Sequence, residues 1–158
     1  MITLSTLQLK LPPPLWLVLS AAAMYGIALA FPQWRLPLPI SMRAGLAGLW
    51  IVAGVLIAVL GVLAFRRHPT TLNPLQPDSS SQLVTTGIFA HSRNPMYLGM
   101  VFCLTGWALW LAHPLALPGV ALFIACLHWF QIRPEERILL HKFGELYVQY
   151  LRRVRRWC

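Results

Sequence analysis

The sequence predicts an all-α integral membrane bundle, with four transmembrane helices followed by a C-terminal amphipathic helix on the cytoplasmic face. Three observations carry that expectation. Of 158 residues, 58% are hydrophobic and only 11% charged, whereas a soluble domain carries about a quarter charged residues. The apolar residues gather into four runs, Leu15 to Phe31, Ala44 to Phe65, Met96 to Leu111 and Pro114 to Phe130. The cations sit at the ends of those runs and in the tail, so the net charge of +9 fits anionic lipid headgroups and not a groove for nucleic acid.

The first run follows the prolines Pro12 to Pro14. Ala28-Leu29-Ala30 has the small-residue pattern of a signal-peptide cleavage site, but a single cation, Lys10, precedes it, and the run is read as a true span. The second contains no charge and is the strongest span. Its small residues four apart, Ala44 with Gly48 and Gly54 with Ala58, suit close approach by a neighbouring helix. The third and fourth runs are short against the roughly 20 residues a span needs, and a turn at Ala112-His113-Pro114 joins them. Backbone left unpaired in lipid is costly, so all four are expected to be helical.

From Arg66 to Ser92 the chain is a polar linker, with Pro69, Pro74 and Pro77 before Asp78-Ser79-Ser80-Ser81. After the fourth run, Pro134 suits a first helical position, and Glu135 and Glu136 suit the positive end of a helix dipole. Leu139, Phe143, Leu146, Tyr147, Tyr150, Leu151 and Val154 then recur at helical spacing, opposite Arg137, Lys142, Glu145, Gln149 and Arg152. This is the predicted amphipathic helix, suited to a membrane interface. With the N-terminus inside, only Arg35 and Arg43 fall outside and the other eleven cations are cytoplasmic. The expected topology is therefore multi-pass with both termini cytoplasmic, as in a bacterial inner membrane. The chain reads as a single domain over 1–158, with two spans in 1–65 and a linker, a hairpin and the C-terminal helix in 66–158.

Polar groups are sparse. Cys103 and Cys126 lie in apolar runs and Cys158 ends the chain, and neither His113 nor His128 has a partner at metal-ligand spacing, so no metal site is expected. The densest polar clusters run from Leu83 to Tyr97, opening the third span, and from Arg133 to Arg137, closing the fourth. A helical hairpin returns to the face it left. The two clusters are therefore expected to bound one pocket at the cytoplasmic mouth. The tail arginines read as positive-inside anchors, Trp107, Trp110, Trp129 and Trp157 as interfacial belt residues, and Tyr147 and Tyr150 as packing residues.

Four ordered motifs, Leu83-Val84-Thr85-Thr86-Gly87-Ile88-Phe89, Arg93-Asn94-Pro95-Met96-Tyr97-Leu98-Gly99, Glu135-Glu136 and Phe143-Gly144-Glu145-Leu146-Tyr147-Val148-Gln149-Tyr150, resemble the isoprenylcysteine carboxyl methyltransferase and phospholipid methyltransferase superfamily. The resemblance covers about Asn73 to Val154. It implies an S-adenosylmethionine-dependent membrane methyltransferase, with S-adenosylhomocysteine as product and a hydrophobic or lipid-like thiol, amine or carboxylate as acceptor. It further implies cofactor contacts at Leu83, Val84, Phe89, Asn94, Pro95, Met96, Tyr97 and Glu135. Arg133 and Glu136 are the candidate catalytic residues, Glu136 being placed to take a proton from an amine.

Two positions depart from the family pattern. Eukaryotic prenylcysteine enzymes have histidine where this chain has Asn94. The arginine credited with holding the prenylcysteine carboxylate is matched here by Gln131, two residues before Arg133. A sulfonium methyl is already activated, so transfer requires in-line positioning and exclusion of water. Aromatic faces and a carboxylate suit the sulfonium, with Phe89, Tyr97, Trp129 and Glu135 as candidates. The competing readings are a membrane steroid or sterol reductase using a nicotinamide cofactor, and a small four-helix transporter or scaffold. A transporter is disfavoured because no acid, lysine or arginine lies within the four runs.

Overall fold

The computed structural model describes residues 11–66 and 83–158. Lys10, Arg67 and the linker prolines with Asp78, which the sequence reading drew on, lie outside the described residues. Among the described residues every regular element is helical: α1 (Pro13–Ala30), α2 (Ile40–Arg66), α3 (Pro95–Leu111), α4 (Leu117–Leu127), α5 (Arg133–Phe143) and α6 (Glu145–Arg153).

Three helical stretches are long and apolar enough to cross a membrane: α1, α2 and the 30-residue stretch Pro114–Phe143. At 1.5 Å per residue, the 17 residues of α3 reach only about 26 Å, short of a ~30 Å hydrocarbon core. The outer surface is apolar, with Val18, Leu29, Leu49, Val52, Leu56 and Leu122 all exposed. An apolar exterior of that extent suits contact with lipid.

The expected boundary at Phe130 is corrected by the structure. A π-helical turn over His128–Ile132 joins α4 to α5, so the fourth apolar run and the start of the C-terminal helix form one rod. Pro134 has no N–H for the carbonyl of Phe130, and its ring presses on that turn. A π-turn just ahead of it relieves the crowding while keeping the chain helical.

The single C-terminal amphipathic helix is corrected too. The chain breaks at Gly144, whose φ of 51° and ψ of −124° favour glycine because no Cβ collides there. Beyond the break, α6 turns Tyr147, Tyr150 and Val154 inward onto Leu83, Leu139 and Phe143, while Leu146 stays exposed. Its apolar face thus covers the protein's own chain.

The most extensive helix pair is α2 with α3, and glycines set its closeness. A Cβ built on Gly99 would stand 2.5 Å from the Gly54 carbonyl oxygen and 2.9 Å from the Ala58 Cβ; one on Gly106 would stand 2.9 Å from the Ala47 oxygen. The Gly54 and Ala58 pair therefore lies in the contact. Gly48 has open space around its Cβ position, and its neighbour Ala47 is the buried residue. The other side of α3 joins α1 and α4 in the main core, built on Met24, Leu104, Leu111, Phe123, Leu127 and Ile132.

The α3–α4 connection is pinned without acids. Ala112 takes a left-handed conformation and its carbonyl accepts from the Leu36 amide at 2.8 Å. Arg43, expected in the loop, lies in the first turn of α2. Its Nε donates to the Trp110 carbonyl at 2.8 Å and its Nη2 to the same oxygen. His113 is buried and its Nε2 lies 2.9 Å from the Phe31 carbonyl. A carbonyl only accepts, so that nitrogen carries the proton.

Candidate functional site

At the opposite end of α3, proline starts the helix at Pro95, a position where the missing N–H is unneeded. Successive helical residues diverge by about 100°, so Met96 and Tyr97 serve different walls. Met96 lies against Gly61 of α2. Tyr97 is 5% exposed, and its phenol donates to Glu135 Oε1 at 2.5 Å. That bond ties the opening of α3 to the first turn of α5.

One residue further on, Glu136 holds two arginines. Arg93 Nη1 stands 3.0 Å from its Oε1. Arg156 engages both oxygens, Nε to Oε1 at 3.0 Å and Nη2 to Oε2 at 2.6 Å. Charge-assisted, two-pronged bonds of this kind are among the strongest a carboxylate makes. Arg156 also reaches back to the π-turn, its Nη1 lying 3.3 Å from His128 Nδ1. A guanidinium only donates, so His128 Nδ1 is the unprotonated nitrogen. The hydrogen bonds to Glu136 hold the Arg156 guanidinium above its ordinary pKa.

The chain entering α3 closes the third wall. Val84 is buried and Leu83 packs on Tyr147 and Tyr150. Gly87–Ala90 forms a 3-10 turn that buries Phe89, whose ring meets Phe65 edge-on at 5.0 Å and whose carbonyl accepts from the Tyr150 hydroxyl at 2.7 Å. Burial raises the pKa of both the Tyr147 and Tyr150 phenols; beyond burial, Glu136 raises Tyr147 further and Tyr147 does the same to Tyr150. Both remain neutral donors at neutral pH.

Asn94 stands at the N-cap of α3, yet its side chain makes no cap bond. Its Nδ2 donates instead to the Arg156 carbonyl at 3.0 Å, and the Arg93 amide donates to the Arg155 carbonyl at 3.1 Å. The tail therefore lies along the turn that opens α3.

The structure thus gathers Leu83, Val84, Phe89, Asn94, Pro95, Met96, Tyr97, Glu135 and Glu136 around one end of the bundle. Arg133 is placed differently: its guanidinium lies 4.5 Å from the Trp129 ring centre, and that ring is exposed. Gln131 is fully buried and its Nε2 donates to the Leu11 carbonyl at 2.5 Å. Arg156 and Trp157, read from the sequence as a lipid anchor and a belt residue, turn inward; Trp157 packs against the main core. No sequence signal located Arg156; the course of the tail does. Val154 is extended and buried, and an extended chain places residues two apart on one side, so Arg156 follows Val154 inward while Arg155 is exposed.

Among the described residues, the buried side-chain atoms without a partner include the Nε of Arg93, beside Glu136, and the Oε1 of Gln131, in the π-turn. Among the described residues no group of three histidine, cysteine or acidic side chains could hold a metal ion.

A family model described as phospholipid methyltransferase matches residues 42–146. An uncharacterized protein of Haemophilus influenzae is 47% identical over 62 residues, covering 39% of this chain and 98% of that protein. The protein-S-isoprenylcysteine O-methyltransferase of Rattus norvegicus is 31% identical across 66% of this chain and 40% of its own length. That of Saccharomyces cerevisiae is 38% identical across 49% of this chain and 32% of its own length. The chain thus spans less than half of either named enzyme. No solved structure matches. The match extends from the start of α2 through the Tyr97–Glu135 bond to the opening of α6, and the chain belongs to the phospholipid methyltransferase family.

Proposed function

We propose that this chain is a membrane methyltransferase that takes its methyl group from S-adenosylmethionine and passes it to a hydrophobic or lipid-like acceptor at the cytoplasmic face. The observation that carries the reading is the Tyr97–Glu135 hydrogen bond of 2.5 Å, which joins two otherwise distant motifs into one wall. Family membership and the apolar helices support it.

The donor's chemistry fits the residues at this end. When bound, S-adenosylmethionine supplies a methyl activated by its sulfonium. Tyr97 and Glu135 offer an aromatic face and a carboxylate to a cation. The unpartnered Arg93 Nε offers a donor to a carboxylate such as the amino-acid end of the donor carries. Leu83, Val84 and Phe89 would line the site with backbone and apolar surface, and Asn94, Pro95 and Met96 would shape the turn. Burial of this wall keeps water from a methyl group that water could otherwise accept.

Glu136 already receives three donors from two arginines, so its role in this reading is to anchor them beside Glu135. Arg133, stacked on Trp129, would meet the acceptor's polar end at the membrane interface. The acceptor would enter sideways from the bilayer, with anionic headgroups held by the basic residues that face the cytoplasm.

The test is incubation of the purified chain with isotope-labelled S-adenosylmethionine and hydrophobic thiols, amines and carboxylic acids, following label into the organic phase. Transfer to one class is the expected result. Donor binding that survives Glu135→Ala combined with Tyr97→Phe would overturn the site assignment.

A further inference from the structure

We infer that Arg156 is a positioning residue of the donor site, holding the turn that opens α3 in register with the first turn of α5. The inference rests on the proposed function and gives Arg156, there only a partner of Glu136, a role of its own. Arg156 acts through both its backbone and its side chain. Its carbonyl receives the Asn94 amide at 3.0 Å, and the neighbouring Arg155 carbonyl receives the Arg93 amide at 3.1 Å. The turn that opens α3 therefore hangs from the tail. The guanidinium grips both oxygens of Glu136 at 3.0 and 2.6 Å and touches His128 at 3.3 Å, so the tail is fixed to α5 and to the π-turn.

Its surroundings separate Arg156 from a lipid anchor. Its side chain is 32% exposed and the carboxylate it binds 17%, whereas Arg152, Arg153 and Arg155 are exposed. A headgroup anchor requires only charge near the surface, and any of those three neighbours supplies it. The fork of Arg156 instead matches the two oxygens of one glutamate, a geometry that lysine cannot reproduce. With that fork removed, Tyr97 and Arg93 remain as described links between the Asn94 turn and the Glu135 turn.

The experiment measures S-adenosylmethionine binding by calorimetry on the full chain in detergent, well below each variant's melting temperature. It compares the unchanged chain with Arg156→Ala, Arg156→Lys and Arg155→Ala. The expected result is a loss of affinity of about tenfold or more for Arg156→Ala, a smaller loss of about threefold to fivefold for Arg156→Lys, and a change within about twofold for Arg155→Ala. Equal affinities for Arg156→Ala and Arg155→Ala would overturn the inference. Should Arg156→Ala fail to fold, Arg156→Lys decides: wild-type affinity in a variant with a wild-type melting temperature would overturn it equally. If the unchanged chain binds no S-adenosylmethionine, the functional reading falls and this inference with it; binding by the unchanged chain isolates the failure to Arg156.

Discussion

The two ends of α3 use arginine in opposite ways. At the Leu111 end, Arg43 donates from two nitrogens to one backbone carbonyl, that of Trp110, and lies 5.1 Å from the centre of the Trp110 ring. The cluster there closes a helix whose last carbonyls need donors. At the Pro95 end, Arg93 and Arg156 converge on a carboxylate adjacent in sequence to the one that Tyr97 binds. The first arrangement satisfies backbone, and the second holds ionisable groups in fixed relation. A polar cluster in a membrane protein is thus informative according to what its cation is paired with.

Four variants can break or sharpen that contrast. The largest effect is expected from Gly99→Val, which acts on both ends at once. Its Cβ would meet the Gly54 backbone oxygen at 2.5 Å, and backbone cannot rotate away. Overpacking of this kind costs about 3 kcal/mol or more. Size-exclusion profiles should lose the monodisperse peak; a wild-type melt would mean that α2 and α3 do not pack as described.

Next comes Glu136→Gln, which keeps shape while removing the counter-ion of Arg93 and Arg156. Donor affinity should fall at least tenfold, about 1.4 kcal/mol, as followed by calorimetry. Unchanged binding would reduce the site end to the same helix-closing role as the loop end.

Tyr97→Phe deletes one hydrogen bond to a carboxylate and little packing. A loss near fivefold in donor affinity is expected, the weight of roughly 1 kcal/mol. Retention of full affinity would remove Tyr97 from the site.

The smallest effect should follow Arg43→Lys. One of its two bonds to Trp110 disappears, lowering stability by about 0.5–1 kcal/mol in a denaturation series, while donor affinity stays within about twofold. A tenfold loss of affinity would show that the ends are coupled through α3, and the contrast would fail.

Much of the candidate site's arrangement was legible because its residues come in short contiguous motifs. Leu83 to Phe89 and Arg93 to Tyr97 are each a short contiguous stretch, and the helical hairpin brings Glu135 and Glu136 back to the end where α3 starts. Arg156 escaped because it sits among arginines of identical composition, and only its direction distinguishes it. The family match to residues 42–146 also stops before it. The continuous Pro114–Phe143 stretch escaped because proline usually marks a helix boundary, and the π-turn that accommodates Pro134 leaves no composition signal.

By itself, the sequence determined that the chain is helical, that its runs are apolar enough for a bilayer, and which motifs belong to the family. Hydrophobicity and backbone satisfaction are local quantities, summed along contiguous residues. Only the tertiary structure decided that Gly54 and not Gly48 meets α3, that the C-terminal helix folds back at Gly144, and that Glu136 holds Arg156. Those outcomes depend on which side chains face one another across helices, and a linear pattern does not record facing.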